Sequence, residues 1–411
     1  MGTLLKDSIE LILAQAVGSV LGYVFYFATA RLLGPADFGI LGALVSILYI
    51  MASLQITLQI VAAKYVSQFK AVSDIDRIKK FNFRALQNVG LWSLALFLVL
   101  ALASPALSKI LRVDIGHLLI TFLIFPFMFL VSITRGIFQG LSDFKNLSIN
   151  IAIEPIVKVS LGLFLVLLGF GLFGALVGII LSFLVPFLLS FVQLNHLIKR
   201  TRKKVGKRNV YKYALPVFAV LFIFVVAINL DNLFVKYAFS NEVTGYYSVA
   251  SLFAKALFYI SLAVSMAMFP RVSELHALKL PHKHVFRKAV LYVAVLSVLF
   301  LLLVSVFSKE LILILFGGSY LEAAIFIPIL VGAQMFLSLA LVAAFYSISR
   351  GIDLRILLFA LPLLIEVVLL KTMGLTPVGV AEAVLLVSPV FLIVSLYILG
   401  AQEKSFKHVL V

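Results

Sequence analysis

Two lysines lie near the middle of long apolar segments, where a charge is costly. Lys158 and Lys255 are each about eleven residues into a predicted membrane-spanning helix, which at 1.5 Å per residue places both near the middle of a bilayer. A charge at that depth costs at least about 2.5 kcal/mol, so neither side chain is expected to face lipid. An ammonium group is a compact charge that donates hydrogen bonds, and both lysines are therefore candidates for binding an anionic group.

Each lysine also has a candidate partner in the sequence. Glu154 precedes Lys158 by one helical turn and lies on the same helix face, so the two charges could neutralise each other. Asp231, in the preceding apolar segment, is the nearest candidate partner of Lys255. The sequence leaves two interpretations open for each lysine, namely anion binding and internal ion pairing.

Asp231 also belongs to the densest polar cluster in any apolar segment, together with Asn229 and Asn232. An acid flanked by two amides can hold a cation or take up a proton; the alternative is a cap where a helix end meets water. Glu366, one turn after Pro362, is a second acid within an apolar segment. Its alternative is a buried, protonated carboxyl group that is hydrogen-bonded to a neighbour.

Other candidates are polar residues at helical spacing and arginines at segment ends. The residues that could line a cavity are Gln55, Gln59, Lys64 and Gln334. Arg31 and Arg135 lie at segment ends on opposite sides of the predicted membrane. They could extend to lipid headgroups, or they could act as gates that meet acidic groups of a facing domain.

The elements that carry these residues are membrane-spanning helices. Hydrophobic residues make up 63% of the chain and charged residues 12%, a balance far from that of soluble domains. Because lipid offers no hydrogen bonds to the backbone, the sequence predicts an all-α integral membrane protein. The twelve predicted spans cover residues 8–31, 38–63, 85–108, 117–138, 147–169, 173–197, 213–237, 245–269, 286–308, 321–347, 354–373 and 378–400.

The positive charges indicate the orientation of these spans. Of the 34 lysines and arginines, 26 fall in loops and termini on one side of the membrane. The six on the opposite side are Arg31, Lys109, Arg112, Lys236, Lys309 and Lys371. The positive-inside rule then predicts a multi-pass protein of the cell (cytoplasmic) membrane with both termini in the cytoplasm. This distribution accounts for the net charge of +17, so no nucleic-acid binding is expected.

The chain is also predicted to consist of two lobes. A basic cytoplasmic linker at 199–212 separates six spans at 1–198 from six at 213–411. An offset of 206 residues aligns Gly39 with Gly245, Val66 with Val272, Ser67 with Ser273, and Ala71 with Ala277. A parallel repeat predicts two six-helix lobes related by a pseudo-two-fold axis along the membrane normal, with a cavity between them and alternating access by rocking.

Several classes of function are excluded by what the sequence lacks. It contains no cysteine, which excludes disulfides and thiolate metal sites. It has no GxGxxG, phosphate-loop or HExxH motif, so we expect neither a cofactor nor a metal centre. The first apolar stretch is long enough to be a retained span rather than a cleaved signal peptide. Energy would then come from a Na⁺ or H⁺ gradient, from the membrane potential or from the substrate, with Asp231 and Glu366 as candidate coupling acids.

Five segments resemble a known family. They are ARLLGPADFGILG at 30–42, TRGIFQG at 134–140, NLDNLFVKYAFSNEVTGYYSVASLF at 229–253, FPRVSE at 269–274 and FGGSYLEAA at 316–324. In this order they resemble the motifs of prokaryotic polysaccharide and oligosaccharide flippases. These form the polysaccharide branch of the multidrug, oligosaccharidyl-lipid and polysaccharide exporter superfamily. The chain departs from that pattern at GVAEA (379–383), where Glu382 interrupts a run of small residues.

The resemblance implies a transporter that is not an enzyme. Its substrate would be an oligosaccharide or polysaccharide repeat unit on a polyprenyl diphosphate lipid, moved from the cytoplasmic to the outer leaflet. Such a cargo needs a hydrated cavity with buried cations, so we expect Lys158 and Lys255 to bind the diphosphate or acidic sugars. Besides this glycan and membrane lipid, we expect no obligatory partner: the chain would act as a monomer, and a glycan polymerase or transferase is a candidate associate.

Two alternative functions would be expected to show sequence features that differ from those of a flippase. A cation-coupled multidrug or metabolite antiporter of the same superfamily would have a cavity dominated by acids instead of paired lysines. An integral-membrane glycosyltransferase or ligase would carry catalytic acids on large external loops, whereas the predicted external loops here are short.

Overall fold

Helices form all the regular structure in the residues that the computed structural model describes, 2–197, 211–351 and 354–409. No strand occurs within these ranges. Ten helical segments of the described chain are long and apolar enough to cross a membrane. The prediction of an all-α, multi-pass membrane protein is therefore confirmed. Most of the predicted linker at 199–212 lies outside the described residues.

Eleven α-helices follow one another in the described part of the chain. They are α1 Gly2–Ala71, α2 Ile75–Leu111, α3 Ile115–Gly140, α4 Phe144–Leu165, α5 Gly171–Leu194, α6 Tyr211–Ala238, α7 Asn241–Ala277, α8 Lys283–Leu315, α9 Phe326–Ser349, α10 Ala360–Met373 and α11 Pro377–Val409. Short π or 3₁₀ segments occupy Val166–Phe170, Asn195–Leu197, Gly318–Ile325 and Leu354–Phe359.

Helix α1 accounts for two of the predicted spans. A straight α-helix as long as its apolar part, Leu13–Ala71, would measure about 90 Å, three times the thickness of a hydrocarbon core. Gly34, at φ 74° and ψ 174°, breaks the helix directly before Pro35. Few residues other than glycine adopt this conformation, and proline cannot continue the hydrogen bonding. With α1 counted as two arms, the helices match the twelve predicted spans approximately.

Pro362 has a different role from the one that the sequence predicts. The predicted span 354–373 places it inside a helix, where it would produce a kink. The structure begins α10 at Ala360, after a 3₁₀ segment, so Pro362 lies in the first turn. The first turn leaves its N–H groups without intrahelical partners, so a proline costs little there. Glu366 therefore lies on an unkinked helix.

The chain divides into two compact units, Met1–Ala214 and Leu215–Val411. In the first unit α3 is central, because α1, α2 and α5 all pack against it. In the second unit α9 has the same position, with α7, α8 and α11 packed around it. Each unit thus repeats one packing scheme, and each carries one of the two lysines that the sequence places in the middle of apolar helices.

Close contact between α1 and α3 depends on glycine. A Cβ atom at Gly136 would lie 2.6 Å from the Cβ of Ala62 and 2.6 Å from the backbone oxygen of Gln59. Neither neighbour is the flexible end of a side chain, so any larger residue would push the helices apart. Gly140, one turn further along α3, allows the same close approach, since a Cβ there would lie 2.6 Å from the Cβ of Val66.

Candidate functional site

Lys158 faces aromatic rings in the first unit. Helix α4 directs its ammonium group toward the first arm of α1, where Nζ lies 5.6 Å from the ring centroid of Phe25 and 5.4 Å from that of Tyr26. The Tyr49 hydroxyl donates a hydrogen bond of 3.3 Å to the Tyr26 hydroxyl. Distances below about 6 Å are those of cation–π contacts, which attract an ammonium without neutralising it. Lys158 is half-buried, with the rings of Phe25 and Tyr26 beside its ammonium group.

Glu154 does not pair with Lys158, although it lies one turn away on the same helix. Its Oε2 accepts from Arg135 Nη1 at 2.8 Å, and no carboxylate of the described residues lies within 4 Å of Lys158 Nζ. The direct ion pair that the i, i+4 spacing suggests is therefore absent, although the Glu154 and Lys158 charges still interact electrostatically. The planar guanidinium of arginine holds its N–H donors in a fixed arrangement that matches a carboxylate, whereas the lysine side chain is flexible. This difference explains why Arg135 is the partner of Glu154.

Arg135 is a buried residue at the junction of three helices. Its side chain is 6% exposed. Besides Glu154, it donates from Nε to Asn150 Oδ1 at 2.7 Å and from Nη2 to the Asn150 backbone oxygen at 3.0 Å. Asn150 Nδ2 in turn donates to the Pro186 oxygen and to Ser190 Oγ, both at 2.8 Å. The interpretation of Arg135 as a headgroup anchor is wrong, because this network satisfies its donors inside the protein.

In the second unit, Asp231 lies inside α6 and not at its end. The carboxyl group is 3% exposed, about two turns before the helix ends at Ala238. Tyr247 on α7 donates to Asp231 Oδ2 at 2.9 Å, and the Asn232 N–H donates to Oδ1 at 2.7 Å. Ser248 on α7 donates to Asn232 Oδ1 at 3.0 Å. The alternative of a helix-end cap is therefore wrong, since the cluster lies in the packed contact of two helices.

Glu366 on α10 is buried without a hydrogen-bond partner. The side chain is 1% exposed, and neither carboxyl oxygen has a partner among the described residues. The side-chain oxygen of Asn229, on α6, is also buried and lacks a partner. A buried carboxylate without a partner is unstable, so Glu366 requires a proton or a bound cation. Its alternative interpretation, a carboxyl group bonded to a neighbouring side chain, lacks that neighbour in the described structure.

Helices α6 and α10 run side by side past these acids. The rings of Phe224 and Phe359 are 5.2 Å apart, and a Cβ at Gly374 would lie 2.5 Å from the ring of Phe234. Asp231 and Glu366 lie between these two contacts along their helices and interact electrostatically. Asp231 also interacts electrostatically with Lys255, which is 5% exposed on α7. The second unit thus gathers two acids and one lysine in its interior.

The remaining predicted residues occupy varied positions. Gln59 Nε2 donates to Gln139 Oε1 on α3 at 3.1 Å, whereas Gln55 and Lys64 are half-buried on the second arm of α1. Gln334 on α9 is 3% exposed, and its amide nitrogen has no partner in the described structure. Arg31 is exposed, as a headgroup anchor would be, and its role stays a prediction.

One buried charge was missed altogether. The sequence places Lys236 among the few cations of the outer loops, but its side chain is fully buried at the end of α6. Its ammonium donates to Asn241 Oδ1 at the start of α7. The tight connection between α6 and α7 brings this amide back over the helix end, a contact that hydropathy does not reveal.

Other missed residues hold the site residues in place. Tyr247 and Ser248 donate hydrogen bonds to Asp231 and Asn232. The short connection between α6 and α7 implies antiparallel helices, and this pairing could have placed the two residues opposite Asp231 and Asn232. Asn150 lies one turn before Glu154 and is the amide that fixes Arg135. The sequence does not distinguish Phe25 and Tyr26 as contacts of Lys158, because aromatic residues are common throughout an apolar chain.

The comparisons with known proteins agree with this picture. A family model described as polysaccharide biosynthesis protein matches residues 4–276. An uncharacterised membrane protein of Methanocaldococcus jannaschii is 26% identical over 435 residues, covering 99% of this chain and all of the relative. Stage V sporulation protein B of Bacillus subtilis is 26% identical over 163 residues, covering 39% of this chain and 32% of that protein.

Solved structures show the same fold. An inward-facing multidrug resistance MATE family transporter of the MOP superfamily gives a TM-score of 0.75 at 14% identity, covering 96% of this chain and 99% of the other. The lipid II flippase MurJ, in an inward closed conformation, gives a TM-score of 0.75 at 16% identity, covering 95% of this chain and 87% of the other. The two-lobed transporter fold predicted from the sequence is therefore confirmed.

Proposed function

The chain belongs to the polysaccharide biosynthesis protein family, and we propose that it flips lipid-linked glycans from the cytoplasmic to the outer leaflet of the cell membrane. The prediction of a multi-pass transporter that is not an enzyme is confirmed, because the family and the structural neighbours are membrane transporters and flippases. The observation that carries the finer proposal is Lys158, a cation in an apolar helix that has no carboxylate within 4 Å among the described residues.

The chemistry of the cargo explains why such a cation is useful. In a polyprenyl diphosphate-linked glycan the tail can stay in lipid, but the dianionic linker and the sugars cannot cross hydrocarbon unaided. Lys158 and Lys255 offer one ammonium in each unit, and an ammonium donates hydrogen bonds to phosphate oxygens from any of three directions. Each unit can therefore hold the linker or an acidic sugar. Gln55, Gln59, Lys64 and Gln334 are proposed to contribute polar contacts to the cargo.

The energy source is proposed to be a cation bound in the second unit. Asp231 and Glu366 are buried acids on neighbouring helices, and Asn229 adds a carbonyl oxygen that has no partner in the described structure. Carboxylate and amide oxygens are the ligands that hard cations such as Na⁺ prefer, and a carboxylate can alternatively accept H⁺. Loading and release of this cation would change the charge beside Lys255, which links the cation to the anionic cargo.

We further propose a monomer in the cell membrane with both termini in the cytoplasm. The 26 cations on one side support this orientation, and each unit has its own packed core, so no second copy is needed to complete it. A glycan polymerase or transferase is the proposed associate, because the flipped glycan must be made on one side and used on the other.

Deletion of the gene tests the proposed function. The deletion strain is expected to accumulate a lipid-linked glycan that is protected from sugar-modifying reagents in intact cells and accessible after the cells are opened. A plasmid copy should reverse this accumulation. Unchanged lipid-linked intermediates, together with a new sensitivity to cationic drugs, would instead indicate a multidrug antiporter.

A further inference from the structure

Arg135 determines how much charge Lys158 can offer to a ligand. We propose that Arg135 is a positioning residue that holds the Glu154 carboxylate away from Lys158, so that this lysine stays available for an anionic linker. The inference rests on the proposed function, since it concerns how the first unit binds the diphosphate. It assigns Arg135 a task inside the protein, distinct from the gate and headgroup roles that its position at a segment end suggests.

The spacing of Glu154 and Lys158 along α4 favours an ion pair between them. Glu154 and Lys158 are one helical turn apart, with the acid on the N-terminal side, which is the favourable order for an i, i+4 pair. Both side chains lie in an apolar surrounding, where opposite charges attract more strongly than in water. Without a competitor, Glu154 would take the ammonium of Lys158, and the site would lose its positive charge.

The competitor is held rigidly in place. Three nitrogens of Arg135 each have an acceptor: Nη1 donates to Glu154 Oε2 at 2.8 Å, while Nε and Nη2 donate to Asn150. Asn150 is itself held through its amide nitrogen by Pro186 and Ser190 on α5. Turning the guanidinium away from Glu154 would therefore break a hydrogen-bond network that joins three helices.

The consequence for Lys158 is visible in its surroundings. Its ammonium points to Phe25 and Tyr26 on α1 rather than along its own helix to Glu154. Rings attract the cation, and no carboxylate of the described residues lies within 4 Å of its three donors; Glu154 acts on it only from a greater distance. A diphosphate can then bind Lys158 without first displacing a carboxylate, which is the energetic advantage that Arg135 provides.

Binding of undecaprenyl diphosphate to the purified full-length protein in detergent, followed by native mass spectrometry, tests this role. Arg135→Gln is expected to weaken binding about tenfold, the loss typical of one charged hydrogen bond, because Glu154 turns to Lys158. The double variant Arg135→Gln/Glu154→Gln is expected to recover most of the affinity. Arg135→Lys keeps the positive charge but loses the two guanidinium hydrogen bonds to Asn150, so this variant should bind undecaprenyl diphosphate with intermediate affinity.

The rescue separates positioning from a merely structural role. If Arg135 only supported the fold, removing Glu154 as well would not restore binding, and that result would overturn the inference, as would unchanged binding by Arg135→Gln. Lys158→Gln separates the inference from the proposed function. Normal binding by Lys158→Gln would refute both the proposed function and the role of Arg135. If Lys158→Gln loses binding but the double variant Arg135→Gln/Glu154→Gln does not recover it, only the role of Arg135 is refuted. Should Arg135→Gln fail to fold, Arg135→Lys with and without Glu154→Gln gives the same comparison.

Discussion

Lys158→Gln is expected to reduce the proposed flipping of a lipid-linked glycan about a hundredfold, which corresponds to about 2.7 kcal/mol of lost stabilisation. Glutamine keeps the length and the hydrogen-bonding end of the side chain but removes the charge that a dianionic linker requires. The aromatic partners Phe25 and Tyr26 cannot replace this charge. The measurement is the rate of flipping in proteoliposomes that contain equal amounts of folded protein.

Two further variants make this prediction specific. Lys109→Gln removes an exposed lysine near the end of α2, so it should flip at the wild-type rate. Lys158→Arg keeps the charge in a larger group and should retain part of the activity. Full activity of Lys158→Gln at normal folded yield would show that the ammonium of α4 does not bind the cargo.

Glu366→Gln is expected to remove the proposed dependence of transport on an ion gradient. The amide has nearly the shape of the carboxyl group but neither accepts a proton nor neutralises a cation, so the proposed cation site at Asp231 and Glu366 could no longer be loaded and emptied. The wild-type rate should rise when a Na⁺ or H⁺ gradient is imposed across proteoliposomes. The rate of Glu366→Gln should stay at the level seen without a gradient, while binding of the lipid diphosphate is kept.

Glu382→Gln is the matched control, because Glu382 is an exposed acid on α11 that was predicted to be peripheral. Its transport should respond to the gradient as the wild type does. A Glu366→Gln protein that is still driven by either gradient would remove this acid from the coupling site and leave Asp231 as the acid to test.

Hydropathy and charge were sufficient to predict the architecture. Twenty-residue apolar windows located the helices, whereas the joining of two spans through Gly34 into one bent helix and the start of α10 at Ala360 were unexpected. The break is nevertheless readable, since Gly34 and Pro35 are a glycine and a proline between two apolar runs. Local composition determines such features, so a single sequence contains them.

Pairings among buried charges were harder to predict. The i, i+4 rule proposed Glu154 with Lys158, but the acid pairs with Arg135 from another helix. Lys236 was expected in an outer loop and is instead covered by the connection to α7. These outcomes depend on which helices are neighbours and on how each is rotated about its axis, and periodicity within one helix does not provide that information.

The acids of the second unit fall between these cases. Their burial was predictable from the apolar residues around them, and the structure confirms it for Asp231 and Glu366. The tyrosine that binds Asp231 and the missing partner of Glu366 emerged only from the packing of α6, α7 and α10. A buried acid in an apolar helix can be recognised in a sequence. Which hydrogen-bond partners it has can be known only once the neighbouring helices are known.

Flipping by the purified protein is the measurement that tests the central claim most directly. Proteoliposomes containing a fluorescent polyprenyl diphosphate oligosaccharide are treated with a membrane-impermeant quencher that destroys the outer-leaflet signal. With the protein present, quenching should proceed beyond the outer-leaflet fraction, and Lys158→Gln should make this second phase about a hundredfold slower. Quenching that stops at the outer-leaflet fraction with folded wild-type protein, with and without an imposed ion gradient, would contradict the assignment as a flippase of lipid-linked glycans.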